Sequence, residues 1–258
     1  MDMMIEGLRV LVTAGAGGIG LEVARAFLRE GAKVFVCDVD RAALDAMATS
    51  DPAVGRTYAD VADRADVARL FEEATAFLGG LDVLVNNAGI AGPTARVEEM
   101  RVEDWDRCVE VCLTSQFNCA RLAVPLLKQS KNASIVNLSS AAGKNGFALR
   151  SPYAAAKWGV IGFTKSLAIE LGEFGIRVNA ILPGLVAGDR IRRVLEAKAQ
   201  QYGKSFKEVE QGAFAAASIK EYILPQQLAD QMVFLASPRG RTISGQAIAI
   251  DGDTKMLM

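Results

Sequence analysis

The stretch Leu8-Arg9-Val10-Leu11-Val12-Thr13-Ala14-Gly15-Ala16-Gly17-Gly18-Ile19-Gly20 decides the architecture of this 258-residue chain. Residues 8–12 read as a short buried strand, and the segment 20–30 beyond the glycines has the apolar spacing of an amphipathic helix. Strand, glycine turn and helix in that order form a cradle for a pyrophosphate. The glycines let the backbone approach the phosphates, and the helix N-terminus offers unpaired N–H groups and a partial positive charge.

Working outward, short β-branched runs recur at 34–37, 81–85, 134–138, 177–181 and 247–250, as strands covered on both faces do. Helix-length segments lie between them at 41–49, 64–77, 102–128, 152–174 and 225–236. The alternation predicts an α/β fold: a single Rossmann-type domain, 1–258, with a doubly wound parallel sheet and right-handed crossovers. Ligands of such sheets bind at the carboxyl ends of the strands. The charged helical segment 188–224 has no strand of its own, and reads either as a substrate lid or as solvated surface helix.

Composition removes several function classes. A net charge of −1 leaves no basic surface for nucleic acid. No apolar run approaches the roughly 20 residues that span a bilayer, and the start of the chain is too short and polar for a signal peptide, so a cytoplasmic protein without membrane partners is expected. The sequence contains no histidine, and its four cysteines (Cys37, Cys108, Cys112, Cys119) lack metal-ligand spacing, which argues against a metal site and a Ser-His-Asp hydrolase. Cys108 and Cys112 share a helix face and read as packing.

Asp38 ends the second run, 18 residues after Gly20. A carboxylate there accepts hydrogen bonds from both ribose hydroxyls of NAD and repels the 2′-phosphate of NADP. With no Lys or Arg in the turn, and Val39 after Asp38, NAD is the expected cofactor. Arg41 is the nearest cation and reads as the start of a solvated helix.

With Asn86-Asn87-Ala88-Gly89, Tyr153-Ala154-Ala155-Ala156-Lys157 and Pro183-Gly184 in order behind the glycine turn, the whole chain resembles the short-chain dehydrogenase/reductase family. The resemblance implies hydride transfer to or from a secondary alcohol. It implies cofactor contacts from Ala14, Gly15, Gly18, Ile19 and Gly20. It brings Asp60 and Val61 to the adenine, Asn87, Ala88 and Gly89 to the adenosine side, and Pro183, Gly184 and Val186 to the nicotinamide, with Tyr153 and Lys157 touching the cofactor as well. Removing a hydroxyl proton as hydride leaves needs a base, and an unperturbed tyrosine, with pKa about 10, is a poor one at neutral pH. Lys157, one helical turn on, stabilises the phenolate of Tyr153. Ser140 is placed to hydrogen-bond the substrate oxygen, while Ser139 points the other way.

Two departures from the family pattern stand out. Cys112 replaces the Asn that in relatives helps hold a water behind the lysine, which predicts an altered proton relay. Gly188 stands where a Thr often meets the nicotinamide carboxamide. Ala14, in place of a first glycine, is tolerable if its φ stays negative.

Arg150, three residues before Tyr153, matches a position at which relatives that oxidise hydroxy acids hold the substrate carboxylate. It either does so here or pairs with an acidic surface side chain. Arg190, Arg192 and Arg193 are further candidates. The expected substrate is a small hydroxy acid, with a 2-keto-3-deoxy sugar acid such as L-2-keto-3-deoxyfuconate (4-dehydrogenase type) leading. A 3-hydroxy acid, a neutral sugar, a 3-oxoacyl thioester and a non-catalytic NAD-binding sensor are the alternatives. Excess apolar surface on 102–128 and 152–174, through Phe117, Leu122, Ile161, Phe163 and Leu167, predicts a partner, and the family resemblance implies that these helices pair in a homotetramer. The tail 252–258 either reaches a neighbouring subunit or is disordered.

Overall fold

A computed structural model describes residues 2–257. Seven parallel strands form one sheet in the order β3-β2-β1-β4-β5-β6-β7. They are β1 (Arg9–Thr13), β2 (Lys33–Asp38), β3 (Gly55–Tyr58), β4 (Val83–Asn86), β5 (Ser134–Leu138), β6 (Arg177–Pro183) and β7 (Ala247–Ile250). Side chains alternate across it. Val10, Val12, Val34, Val36, Val83 and Val85 pack on one face with helices α1 (Gly18–Arg29), α2 (Arg41–Ser50) and α9 (Pro225–Ala236). Leu11, Phe35, Leu84 and Ile135 pack on the other with α3 (Arg64–Leu78) and α5 (Ser115–Leu127). Each such side chain contributes about 1.5–3 kcal/mol by leaving water. The strand order reverses between β1 and β4, and the carboxyl ends of those strands open the crevice where such sheets take their ligands.

Six of the strands and the helix–strand alternation match the sequence reading. β3 was not anticipated: Gly-Arg-Thr-Tyr is a short edge strand, paired through Asp38↔Tyr58, and carries no apolar run. The helix expected over 102–128 is interrupted. α4 (Val102–Val109) passes into a π-helical turn at Glu110–Thr114 before α5 begins. The Ser115 hydroxyl donates to the Val111 carbonyl at 2.7 Å within that distortion. α6 (Ser151–Leu171) carries Tyr153 and Lys157 in its first two turns.

The segment 188–224 is built of α7 (Asp189–Tyr202) and α8 (Phe206–Ala215), which Gly203 separates. Its base is pinned. Ala187 N–H donates to Ile223 O at 2.9 Å, and Ile223 N–H to Leu185 O at 2.8 Å. The tail lies against its own chain: Thr254 bridges Ala217, and Leu257 bridges Phe147. Met258 lies outside the described residues. Among the described residues no helix is long and apolar enough to cross a membrane.

Candidate active site

The glycine turn is built for close approach. A methyl group at Gly20 would lie 2.0 Å from the Ala14 carbonyl oxygen, so helix α1 packs on the turn only without one. Gly17 caps α1 with no side-chain acceptor, and the first turn of α1 has no acidic residue. Its N–H groups therefore face the crevice without an internal anion, as a pyrophosphate requires. Ala14 departs from expectation: its φ is +50°, in the left-handed region. Asn87 holds it there, its amide donating to the carbonyls of Thr13 at 3.0 Å and Ala14 at 2.9 Å. The Thr13 hydroxyl in turn accepts the Asn87 and Ala88 N–H groups, both at 3.0 Å, which ties β4's exit to the turn.

Asp38 stands beside this turn, its carboxylate accepting the Ala16 N–H at 3.1 Å and the Asp40 N–H at 3.1 Å. The Arg41 guanidinium lies on the Tyr58 ring, 3.8 Å from its centroid. Asp60 gives one oxygen to Arg107 at 2.7 Å and the other to the Ala62 N–H at 3.0 Å. Val61 beside it is buried. A free helix N-terminus, a glycine cradle and an acidic residue at the end of β2 fit a nicotinamide dinucleotide; Ile19 lies on the first turn of α1, at the same cradle.

At the far side of the crevice, Lys157 is buried and its Nζ donates to the Leu138 carbonyl at 2.6 Å. Nζ lies 5.7 Å from the centroid of the Tyr153 ring. Ser140 follows β5, and its Oγ accepts the Ala142 N–H at 3.1 Å, which leaves the hydroxyl proton to give. Ser139 faces away, as expected, and donates to the Lys157 carbonyl at 2.8 Å. Gly89 completes the enclosure: a methyl there would meet Lys157 Nζ at 3.5 Å and Cys112 Sγ at 3.7 Å. Pro183 ends β6, and Gly184 and Val186 lead from it towards the pinned base of α7. Gly188 caps α7 without a side-chain hydrogen bond.

Cys108 and Cys112 pack with Ala156 against Tyr153, as the reading of them as packing requires. The Cys112 thiol is held below its ordinary pKa, first by a hydrogen bond from Cys108, with Lys157's charge adding. Its Sγ reaches the Ile90 carbonyl at 3.4 Å. The amide missing at position 112 has a neighbour one turn on. Gln116 Nε2 donates to the carbonyls of Cys112 at 3.4 Å and Leu138 at 3.3 Å, and its buried Oε1 has no partner among the described residues. The i, i+4 spacing was the available signal.

Among the described residues Arg150 pairs with no carboxylate. It is 2% exposed, lies 5.1 Å from the centroid of the Tyr153 ring, and donates to the Ala91 carbonyl. Its Nε and Nη1 have no partner among those residues, and burial pulls its pKa down from the usual arginine value. The other arginine candidates are engaged or remote: Arg190 donates to Gly89 and Ile90 carbonyls at 2.9 Å each, and Arg192 pairs with Glu196 in solvent. Arg193 is exposed.

The family model described as enoyl-(acyl carrier protein) reductase matches residues 14–253. The chain belongs to the short-chain dehydrogenase/reductase family. It is 35% identical to a D-beta-hydroxybutyrate dehydrogenase of Cupriavidus necator, over 96% of this chain and 98% of that protein. It is 37% identical to a 3-oxoacyl-(acyl-carrier-protein) reductase of Thermotoga maritima, over 97% and 98% respectively. Among solved structures, an actinorhodin polyketide ketoreductase with NADPH superposes with a TM-score of 0.90 at 32% identity, covering 95% of this chain and 96% of that one. As a member of this family the chain is a nicotinamide-dependent oxidoreductase acting on CH–OH and keto groups.

Proposed function

We propose that this short-chain dehydrogenase oxidises a small hydroxy acid with NAD, Tyr153 taking the hydroxyl proton. The observation that carries the acid is Arg150, a buried guanidinium with unpaired N–H groups against the Tyr153 ring. A planar carboxylate satisfies two of those groups at once, whereas a thioester substrate brings no anion to them. The hydroxybutyrate dehydrogenase among the relatives supports an acid; the acyl-carrier-protein reductase is the second reading. A 2-keto-3-deoxy sugar acid remains the leading specific substrate.

In this reading the Ser140 hydroxyl donates to the substrate oxygen and aligns it with Tyr153. Lys157, fixed by the Leu138 carbonyl, supplies positive charge where the phenol oxygen becomes negative. A bound dinucleotide would supply the hydride acceptor. Ala14, Gly15, Gly18, Ile19 and Gly20 would hold its pyrophosphate, and Asp38 would favour NAD through the ribose hydroxyls. Asp60, Val61, Asn87, Ala88 and Gly89 would hold the adenosine side, and Pro183, Gly184 and Val186 the nicotinamide side. α7 and α8 act as the lid within one catalytic domain. The exposed apolar surface of α5 and α6 supports a homotetramer.

The test is NADH formation across sugar acids, 3-hydroxy acids, their amides, free sugars and 3-hydroxyacyl thioesters, with NAD and NADP in parallel. Acids with NAD should lead. Tyr153→Phe should lose at least about 100-fold in kcat while still binding NADH. Preference for thioesters or neutral sugars, or a fully active Tyr153→Phe, would overturn the reading.

A further inference from the structure

The lid carries a buried cation of its own. Lys198, on α7, is 2% exposed, and among the described residues its Nζ has no hydrogen-bond partner and no carboxylate pairs with it. It shares a buried face with Leu195 and Ala199, while Arg192 and Glu196 take the wet side. Lys198 Nζ lies 4.0 Å from the centroid of the Phe147 ring, and the Arg150 guanidinium carbon lies 5.1 Å from that same centroid. Lys198, Phe147, Leu185, Leu195, Thr254 and Leu257 are among the residues that line a cavity of about 40 Å³.

A cation–ring contact recovers only a small part of what removing an ion from water costs. Two unpaired cations on one ring are therefore not a resting structural motif. Arg177 shows how this chain treats a buried cation that serves only the fold. Its guanidinium is spent on the Ala236 carbonyl at 3.1 Å, Asn132 Oδ1 at 2.8 Å and the Leu235 carbonyl. Arg150 and Lys198 have no such set.

We infer that Lys198 is a specificity-determining residue: together with Arg150 it holds the carboxylate of the bound acid from the α7 side, so that seating the lid and recognising the anion are one event. This rests on the hydroxy-acid reading above and adds its second anchor. A neutral substrate leaves both cations buried without a counter-charge, and the lid then closes on it poorly.

The probe is sodium butyrate, with butyramide as its neutral counterpart and sodium chloride as the ionic control. Thermal melts of the NADH-loaded protein should rise with butyrate well beyond either control. Lys198→Met, which removes a buried charge and should fold at least as well, should lose most of that rise, and Lys198→Arg should restore part of it. In kinetics, Lys198→Met should raise KM for the acid about ten- to a hundredfold with kcat changed far less, and should leave NADH binding unaltered. An equal butyrate shift in wild type and Lys198→Met, or no shift in wild type, overturns the inference. If acids remain the preferred substrates with KM unmoved by Lys198→Met, Lys198 fails and the hydroxy-acid reading stands; if neutral substrates win in wild type, that reading itself fails.

Discussion

Ala14 holds a left-handed backbone that costs an L-residue about 1–2 kcal/mol, part of which glycine returns as unfolded-state entropy. Ala14→Gly should therefore raise stability by about 0.5–1 kcal/mol, read as the urea midpoint; an unchanged or lowered midpoint would contradict the strain. Asp38 is the other residue on which a discrimination turns. Asp38→Asn keeps an oxygen for the Ala16 N–H and removes the charge, so NADPH binding should tighten at least about tenfold relative to NADH in fluorescence titrations, by relief of charge repulsion. The places of Tyr153, Lys157, Ser140 and Asp38 at the crevice were legible, because each is fixed by the end of a strand or the first turns of a helix; their roles rest on the family resemblance and on the chemistry of hydride transfer. The sign of φ at Ala14 was not legible, since it depends on Asn87 reaching across from β4, 73 residues away.

Helix α7 shows what the next scale adds. Its sequence reads as a charged surface helix, and three arginines drew attention as anion binders. The fold puts Lys198 on the inner face instead. The signal was there in Ile191, Leu195 and Lys198, spaced four and three apart on one stripe, but only the packing of α7 over Phe147 makes it a buried charge. Burial pushes the Lys198 ammonium down to about 8, with Arg150's charge adding. The unfolded chain holds that proton up to about pH 10.4, so between these values unfolding takes up protons, and the ligand-free protein gains stability as pH rises from about 8 to about 10.4. Lys198→Met should remove that contribution. The stability difference between variant and wild type should shrink by up to about 3 kcal/mol across the window in urea titrations, and a constant difference would refute the buried ammonium. The π-helical turn at Glu110–Thr114 likewise left no mark in the apolar periodicity.

For the whole molecule, hydrophobic alternation was enough to predict a parallel sheet with two helical faces, because strands covered on both sides must be apolar throughout. β3 escaped for the complementary reason: an edge strand of four residues, most of them only half-buried, has no such obligation. The outer surface of α5 and α6 leaves Phe117 47%, Trp158 53% and Ile169 83% exposed in a single chain. Light scattering should therefore give a mass above that of one chain, four chains under the assembly proposed here, and Phe117→Glu with Trp158→Glu should lower it; a single-chain mass for wild type would refute the assembly.

The tail that bridges Thr254 to Ala217 and Leu257 to Phe147 has a practical consequence for anyone preparing this enzyme. Met256 and Leu257 form part of the cavity wall beside Lys198. Proteolytic cleavage just ahead of Met256 should therefore raise KM for an acid substrate and leave dinucleotide affinity unchanged, because the glycine turn and Asp38 lie elsewhere in the crevice; preparations nicked there and intact ones, compared side by side, check this.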